Sequence, residues 1–450
     1  MKRVLLIVNE MGQFSELKKV AAMLQGKYET IFKFSTSHTN TLENINYCGE
    51  NGYVCYDNNG GIHGTKRKRV RDRAETWFWH RSNLISKGLH RIYWRLRKIP
   101  IFLFFFVEYE RSIILPNRVL REIDPSLVIL SEESIIPGSV GYIKSAKKLG
   151  ISTLIVPFTL GGHEEQASWM QYYEQFHMTN IYNRIVGFLF PSLVCEYRGR
   201  KFLRRLWYEC IADKILQVIP PLPWEVVSGE ADAVAVESLV MQKLYQDAGV
   251  DPMKLRLTGS LNDDLLYAGM QKRKKKRRPT ILVAFPPDHT YVNSVFMNYE
   301  EVVAFWVDAL RKVKGWNIVI RPHPKTRLAD LESFFKAGFT MSLENTASLI
   351  PACDLYIASV SATIRWAIAC GKPVINYDVY GLVYKDYENT YGVLTLNTKS
   401  GFEYALQNIN ELSKELAELQ KEDAHWWGKL DGKAGERMMT LIDQLVARKK

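Results

Sequence analysis

The segment that decides the fold lies between Asp354 and Lys372 and has the sequence DLYIASVSATIRWAIACGK. Its apolar residues Leu355–Ala358 are followed by a serine-rich turn, and Thr363–Cys370 has the apolar spacing of a helix. Another short apolar run, Pro373–Tyr377, comes directly after that helix. A strand, a turn, a helix and a second strand in this order form the repeating unit of an open sheet of parallel strands.

The same alternation continues along the rest of the chain. Near the N-terminus, Val4–Val8 predicts a buried strand, Gly12 predicts a turn, and Ser15–Leu24 has helical spacing. The pattern therefore predicts an α/β protein with two doubly wound, Rossmann-like domains. Further apolar runs predict strands at 28–34, 127–130, 152–156, 214–219, 233–236, 255–258, 281–285 and 317–320.

Length and local composition indicate how the chain is divided. Its 450 residues suffice for two domains, and 47% of them are hydrophobic, as in folded proteins with a sizeable core. An abrupt change to charged residues after position 258 predicts the boundary between the domains. We expect an N-terminal domain at 1–258 with a basic and aromatic insertion at about 60–115, a basic linker at 259–279, a C-terminal domain at 280–405, and helices at 406–450 that pack back toward the first domain.

The positive charge is concentrated in two short runs. The net charge is +12; Lys66–Arg73 has six bases and one acid, and Lys272–Arg278 consists of seven bases. Because these runs supply the whole excess, the rest of the chain is neutral, which argues against a nucleic-acid-binding protein with a broad basic surface. A non-catalytic protein that uses the two runs to bind nucleic acid or a membrane stays open as an alternative.

The insertion has the composition of a helix at a membrane surface. Within Ile85–Phe106 an apolar stripe alternates with arginines, and Trp77, Trp79 and Trp94 stand close by. An amphipathic helix packed on its own domain fits the same pattern. The longest apolar run, Ile99–Val107, is about half of the ~20 residues that span a bilayer. We expect a cytoplasmic protein, with peripheral attachment to an anionic membrane surface, at the cytoplasmic face of the inner membrane, as an option.

The second half of the chain has the clearest binding motif. The segment Ile318–Arg327, IVIRPHPKTR, ends a predicted strand with Arg321, His323 and Lys325, and Pro324 stiffens the loop. Ligands bind at the carboxyl ends of parallel strands, and an imidazole beside cations suits a phosphate ester. A rigid surface loop with incidental bases is the alternative.

The serine turn supplies a second group of candidate phosphate ligands. Ser359, Ser361, Ala362 and Thr363 lie between a predicted strand and a helix, where free N–H groups and hydroxyls form an anion site. Ordinary capping of the helix explains the hydroxyls equally well. His289 follows the first strand of this half, and we expect it at the same edge of the sheet.

Candidate acids and bases follow strands of the first half. Glu132 and Glu133 end a predicted strand, and paired carboxylates can supply a general base. His163 stands beside Glu164 and Glu165 in the glycine-containing segment TLGGHEEQ. A solvated acid pair and a surface turn are the alternatives. Because no further His or Asp has ligand spacing, we expect no metal site.

The segments Ala233–Asp264 and Ala347–Asp378 resemble the end of the first domain and the donor-site helix, with its following strand, of GT-B glycosyltransferases. The resemblance extends over most of the chain in order, except for the insertion. In this class two Rossmann-like domains face a cleft, and the nucleotide-sugar binds to the C-terminal domain. The resemblance therefore implies a nucleotide-sugar donor at 280–405, with Gly12, His289 and Tyr377 as further contacts in the cleft.

Three motifs occur in the order seen in bacterial CMP-sugar transferases, the sialyl- and Kdo-transferases of surface polysaccharides. The acidic pair of that family resembles Glu132-Glu133-Ser134, its His-Pro resembles His323-Pro324, and its double serine resembles Ser359 and Ser361. The resemblance implies that Glu133 is the catalytic acid or base, that His323 contacts the CMP phosphate, and that the serines hold the phosphate or the sugar carboxylate. It also implies a CMP-linked donor of Kdo or another acidic 2-keto sugar, an oligosaccharide or lipid-linked glycan acceptor, and no cofactor or metal.

Two neighbouring groups resemble the same C-terminal pattern. CDP-glycerol polymer transferases place a serine-rich turn before a G-K-P-V/I strand that tyrosines follow, as in residues 371–387. UDP-GlcNAc 2-epimerases share the fold and a His-Pro, but residues 359–362 are Ser-Val-Ser-Ala where those enzymes have Asp-Ser-Gly-Gly. A UDP-sugar or CDP-glycerol transferase is thus the first alternative, and an epimerase-like enzyme is the second.

Overall fold

The computed structural model describes residues 1–35, 39, 41–56, 62–63, 101–135, 138–272, 278–289 and 295–448, with the backbone alone for 62–63 and 101–103. The run Lys66–Arg73, most of the insertion at 60–115 and residues 273–277 of the second basic run lie outside the described residues. The chain forms two compact units. Unit 1 comprises Met1–Val236, Leu244–Arg256 and Met438–Lys450, and unit 2 comprises Glu237–Lys243 and Leu257–Arg437.

Unit 1 is built on a sheet whose strand order is β10-β9-β6-β5-β1-β2-β3-β4. Strand β1 pairs in parallel with β2 on one side and with β5 on the other, so the order of the strands reverses at β1. After the exposed Arg3, β1 is buried and consists of Val, Leu and Ile, as its neighbour β5 does, which is typical of parallel strands covered on both faces. The strands are β1 Arg3–Val8, β2 Glu29–Phe34, β3 Val54–Tyr56, β4 Ile62–His63, β5 Leu127–Leu130, β6 Ser152–Ile155, β9 Ala233–Val236 and β10 Leu255–Leu257, with β7 Val194–Tyr197 and β8 Arg200–Leu203 in a separate antiparallel hairpin.

The helices that surround this sheet include an apolar segment that follows the insertion. Helix α3, Ile101–Tyr109, is joined to α4, Leu115–Ile123, by a π-helical turn at Glu110–Ile114, where Ser112 Oγ donates to the buried carboxylate of Glu108 at 2.7 Å. The helices of the first half of the chain are α1 Met11–Leu24, α2 Leu42–Glu50, α3 Ile101–Tyr109, α4 Leu115–Ile123, α5 Ser139–Lys148, α6 His163–Met170, α7 Ile181–Leu189, α8 Trp207–Ile215 and α9 Leu239–Asp247.

Unit 2 is built on a second parallel sheet with the order β13-β12-β11-β14-β15-β16. Its strand order reverses between β11 and β14. Its strands are β11 Thr280–Phe285, β12 Asn317–Pro322, β13 Thr340–Met341, β14 Leu355–Ala358, β15 Val374–Tyr377 and β16 Val393–Leu396. Its helices are α10 Leu261–Gln271, α11 Tyr299–Arg311, α12 Glu332–Lys336, α13 Thr346–Leu349, α14 Ile364–Ala369, α15 Lys399–Gln407 and α16 Ile409–Trp427, and the last helix of the chain is α17 Ala434–Ala447.

An aromatic cluster forms the core on one face of the second sheet. Tyr377 stacks on Phe402 with ring centroids 4.4 Å apart, and Trp306 packs against both rings. Tyr377 is buried in this cluster. Its ring therefore belongs to the core, and the contact with a ligand that the sequence suggests for Tyr377 stays a prediction.

Two local predictions fail for identifiable reasons. Gly12 does not open a turn but lies in the first turn of α1, which begins early because the Gln13 side chain accepts the N–H of Asn9 at 2.9 Å. Residues 214–219 do not form a strand. Instead Asp213 forms a two-point ion pair with Arg205 on the buried side of α8, which holds the segment as a helix that ends at Ile215.

Candidate functional site

The clearest candidate site of unit 2 lies where the strand order of its sheet reverses. The loop that follows β11 contains His289, the loop that follows β14 contains Ser359 and Ser361, and β12 delivers His323 beside them. The N–H of His323 donates to the carbonyl of Phe285 at 3.0 Å, which ties the two loops together. In open α/β sheets, this crevice at the carboxyl ends of the strands is where ligands bind.

His323 is held in one tautomer. The backbone N–H of Lys325 donates to His323 Nδ1 at 3.2 Å, so the ring proton is placed on Nε2. Burial, together with the positive charges of Lys325, His289 and Arg321, lowers the pKa of His323 to about 4. A neutral imidazole with a free Nε2–H is a donor to an anion, and the bound anion would restore the charged form.

The groups around His323 are basic residues that disfavour its protonation. Burial and Lys325 lower the pKa of His289, while the nearby Asp288 opposes the shift. Arg321 is partly buried and donates to the carbonyls of Glu344, at 3.0 Å, and of Pro322. Two histidines whose protonation is opposed by neighbouring cations form a site prepared for a negative ligand. We name Arg321, His323, Lys325 and His289 the cation cluster.

Tyr380 supports this cluster and was missed by sequence reasoning. Its hydroxyl donates to the carbonyl of Pro287 at 2.6 Å, and its ring meets the His289 ring edge-on with centroids 5.6 Å apart. It stands three residues after the predicted contact Tyr377, in the same tyrosine-containing segment. Both tyrosines are buried in the same core cluster, and Tyr380 is the one whose hydroxyl and ring also reach the loop that contains His289.

The serine turn is more tightly bonded than its sequence suggested. Ser359 Oγ accepts the N–H of Val379 at 3.3 Å, and Ser361 Oγ lies 2.7 Å from Thr363 Oγ1. Val360 adopts the left-handed φ of 45°, and its N–H donates to Asn376 Oδ1 at 2.9 Å. These bonds fix the turn in one conformation beneath the half-buried Ala362. Pro324 lies exposed on the neighbouring loop.

Unit 1 has its own candidate site, again at the reversal of strand order. Asn9 and Gln13 follow β1, and Glu132 follows the adjacent strand β5. Gln13 Nε2 donates to Glu132 Oε1 at 2.8 Å. Glu132 is 8% exposed, and burial raises the pKa of its carboxyl to about 7, aided by the charge of Glu10 and opposed by Gln13 and Arg204. A carboxyl that titrates near neutral pH can accept and return a proton.

Arg204, which also lies near Glu132, is a residue that the sequence analysis did not identify. It is buried, its Nε donates to the carbonyl of Pro223 at 2.8 Å, and its guanidinium lies 5.4 Å from the centroid of the Trp224 ring. Burial and the adjacent Arg205 lower its pKa to about 10. Arg204 and Arg205 lie between β8 and α8 and belong to none of the motifs found in the sequence, so no sequence pattern indicates their role.

Glu133 has different surroundings from its neighbour. Its side chain is 0% exposed, Oε2 accepts the N–H groups of Ser228 and Gly229 at 2.5 and 2.7 Å, and Oε1 accepts that of Ala231 at 2.5 Å. Burial raises the pKa of Glu133, and the three N–H donors and Lys254 oppose that shift. The described hydrogen bonds of its carboxylate all anchor the 228–231 loop, which indicates a structural part for this group.

Replacement of Glu133 by glutamine is expected to lower the free energy of unfolding by about 2–4 kcal/mol, because an amide nitrogen would face a buried N–H group. Urea denaturation measures this change. Glu50→Gln, at an exposed position of unit 1, is the control and is expected to change stability by less than about 0.5 kcal/mol. A Glu133→Gln protein of full stability and strongly reduced turnover would instead make Glu133 a catalytic residue.

His163 is paired with a carboxylate that lies far away in the sequence. Its Nδ1 lies 3.1 Å from Glu225 Oε1, and this hydrogen bond raises the pKa of His163, whereas burial lowers it. The predicted partners were Glu164 and Glu165, which lie in the same first turn of α6. A half-exposed imidazole with a raised pKa suits a proton donor or an anion contact better than a base.

Gly12 lies close to the loop that follows β6. A Cβ added at Gly12 would stand 3.2 Å from the ring of Phe158, so the glycine lets α1 approach this loop.

Across the described parts of the chain, no group of three or more His, Cys, Asp or Glu side chains could hold a metal ion. Among the helices of those parts, none is both long and apolar enough to cross a membrane.

Comparisons with known proteins rest on the fold. No protein-family model matches the chain, and no curated protein matches it. Among solved structures, S. aureus MnaA in complex with UDP matches with a TM-score of 0.52 and 12% identity, over 100% of this chain and 98% of that one. A variant of the wall teichoic acid polymerase TagF, with CDPG, matches with a TM-score of 0.51 and 12% identity, over 99% of this chain and 89% of that one. The chain has the GT-B fold.

The fold assignment confirms the predicted α/β class with two Rossmann-like units. The MnaA structure contains UDP, and the TagF structure was obtained with CDPG. In this chain, the same fold has a cation cluster at the reversal point of its second sheet and a buried carboxyl at that of its first.

Proposed function

We propose that the chain is a nucleotide-sugar-dependent glycosyltransferase. The observation that carries this proposal is the cation cluster, in which Arg321, His323, Lys325 and His289 gather at the ligand-binding edge of the second sheet. Such a cluster suits the phosphate of an activated sugar, and the GT-B fold is one that accommodates UDP and CDPG in the solved neighbours.

In this proposal unit 2 binds the donor and stabilises its leaving group. His323 donates through Nε2–H to a phosphate oxygen, and Arg321 and Lys325 offset the negative charge that grows as the bond between sugar and phosphate breaks. The backbone of the serine turn, from Ser359 to Thr363, forms the floor of this site. These donors are already in place before the reaction, which is what makes such groups effective.

Unit 1 binds the acceptor and handles its proton. The acceptor hydroxyl attacks the anomeric carbon, a new glycosidic C–O bond forms, the bond to the phosphate breaks, and the nucleotide leaves with its electron pair. Glu132 takes the hydroxyl proton, because its carboxyl titrates near neutral pH and Gln13 holds it in position. No step of this scheme requires a metal ion.

We keep a CMP-linked acidic sugar, of the Kdo type, as the first donor to test, since the motifs around His323 and the two serines suggested it. A UDP-sugar or CDP-glycerol donor fits the same cluster. Its two phosphates lie close together, as the phosphate and the sugar carboxylate do in a CMP-linked acidic sugar. The proposed acceptor is an oligosaccharide or a lipid-linked glycan, and the proposed location is the cytoplasmic face of a membrane.

An epimerase-like reaction is the second candidate. A buried carboxyl with a pKa of about 7 can also move a proton on a sugar carbon, which favours this alternative at Glu132. The two reactions differ in their products, since a transferase releases the free nucleotide only when the sugar moves to an acceptor or to water.

The reaction is tested by incubating the protein with CMP-linked, UDP-linked and CDP-linked donors and a mixture of bacterial glycans. Chromatography measures the released nucleotide, and NMR of the remaining donor detects an epimerised sugar. We expect release of CMP that increases when the glycans are present. An epimerised donor without nucleotide release would favour the second candidate, and unchanged donors in every mixture would contradict both.

A further inference from the structure

Helix α7, Ile181–Leu189, presents an apolar face to the solvent. Phe188 is 85% exposed and Leu189 59%, and Ile181 and Ile185 are also more than half exposed. These positions are spaced three, four and seven residues apart, so they form one stripe along the helix. The opposite side, with Asn183 and Val186, is the one that packs on unit 1. An exposed stripe of this size on a packed helix is uncommon and indicates an interaction surface.

Aromatic and apolar side chains continue this surface onto helix α8. Tyr182 of α7 stacks on Trp207 with ring centroids 5.0 Å apart, and Trp207 meets Tyr208 edge-on at 5.5 Å. Ile215, at the other end of α8, is again more than half exposed. Tyrosine and tryptophan are the residues that favour the level of lipid headgroups.

Basic side chains flank the apolar stripe. Arg184 is exposed on α7 itself, and Lys214 Nζ lies 5.6 Å from the centroid of the Phe190 ring. The adjoining β7–β8 hairpin contacts the segment before α7, since the N–H of Met178 donates to the carbonyl of Lys201. The hairpin carries three further exposed bases, Arg198, Arg200 and Lys201. Its one exposed acid, Glu196, lies 3.8 Å from Lys201 Nζ, so two of these bases are in excess.

We propose that this face of unit 1, named here the α7 surface and comprising Ile181, Ile185, Phe188, Leu189, Arg184 and Lys214, docks onto an anionic membrane surface. An apolar stripe, a neighbouring aromatic pair and a basic border are together the features of a helix that lies in a membrane interface. The excess of bases over acids around the stripe is what favours anionic lipid over a second copy of the chain, whose identical border would repel it.

This surface is independent of the proposed reaction. It is made of α7, α8 and the hairpin, and none of its residues belongs to the cation cluster or to the surroundings of Glu132. It adjoins the end of the insertion, because Phe104 of α3 meets Tyr208 of α8 edge-on with ring centroids 5.4 Å apart, while most of the insertion lies outside the described residues. Substitutions at Phe188 and Leu189 change no residue of the proposed reaction or of the insertion, whereas a wild type that does not float would also contradict the membrane contact predicted for the insertion.

The test is flotation of the full chain with vesicles made of phosphatidylglycerol and phosphatidylcholine in equal parts. We expect the wild-type protein to float with these vesicles and the double variant Phe188→Glu/Leu189→Glu to lose at least about tenfold in affinity, because two acidic groups replace inserted apolar ones. Both positions are exposed, so circular dichroism and thermal melting should show an unchanged fold. The control is Leu343→Glu in unit 2, which replaces a leucine of similar exposure, 65%, and should float like the wild type.

Several outcomes would overturn the proposal. The first is a wild-type protein that does not float, and the second is a double variant that floats as well as the wild type. Equal flotation with vesicles of phosphatidylcholine alone would refute the choice of anionic lipid. A wild-type protein that self-associates, ignores vesicles and becomes monomeric in the double variant would assign the surface to a second copy instead.

Discussion

Replacement of Glu132 by glutamine is expected to lower kcat by about 10²- to 10⁴-fold, because the variant lacks the group that takes the acceptor proton. Glutamine keeps the oxygen that accepts from Gln13, so the site keeps its shape. Initial rates of nucleotide release measure the effect. The affinity for the nucleotide should stay unchanged, since Glu132 belongs to unit 1 and the phosphate ligands to unit 2.

The same variant has a second readout that does not depend on the reaction. The pKa of Glu132 lies at about 7 in the folded chain and at 4.5 as a reference, so its stabilising contribution is complete below about pH 4.5 and is lost as the pH rises through about 7. The variant has no such loss. From about pH 5 to about pH 8 its stability should therefore improve relative to the wild type by on the order of 1–3 kcal/mol. If the free energy of unfolding changed with pH in the same way for both proteins, the result would contradict a buried carboxyl that titrates near pH 7.

Replacement of His323 by alanine is expected to lower kcat/KM by about 10²- to 10³-fold, because it removes the donor nearest to the developing charge of the leaving group. Nucleotide affinity, measured by calorimetry, should fall as well. His425→Ala is the matched control, since His425 is an exposed histidine of α16 in the same unit and should leave both quantities unchanged. If His323→Ala were as active as His425→Ala, His323 would not be part of the site.

The pH dependence of nucleotide binding separates His323 from a merely structural residue. The pKa of His323 is about 4 in the free protein, held down by burial, Lys325, His289 and Arg321, and a bound phosphate should raise it. Binding then takes up a proton, so affinity increases as the pH falls from about 8 toward 5. The nucleotide's own titration is common to both proteins, so the smaller slope expected for His323→Ala isolates the histidine.

Much of the fold could be predicted from the sequence because its strands are short apolar runs at regular intervals. Runs such as Val4–Val8 and Leu355–Ala358 predict buried strands, and their alternation with helices predicts that the strands are parallel. The strand predicted at 214–219 is wrong. Helix α8 continues to Ile215, and a buried ion pair between Arg205 and Asp213 stabilises this end of the helix. Local periodicity carries no information about such a partner.

The sequence predicts only those residues of the candidate site that directly follow a recognisable strand. The acidic pair after β5 and the His-Pro loop after β12 were found in this way, but nothing in the sequence separates Glu132 from Glu133. Their difference depends on which side of the backbone each faces, toward Gln13 or toward the 228–231 loop. Arg204 and the His163–Glu225 pair likewise depend on contacts between distant segments.

The measurement that tests the central proposal most directly is a thermal-shift panel with CMP, CDP, UDP, UMP and GDP on the wild type and on His323→Ala. A ligand at about 100 times its dissociation constant stabilises a protein by about 2.7 kcal/mol, which is readily seen as a higher Tm. We predict that a cytidine nucleotide, CMP first, raises the Tm of the wild type and leaves that of His323→Ala unchanged. A wild type whose Tm no nucleotide raises would contradict the nucleotide site and, with it, the proposed transferase.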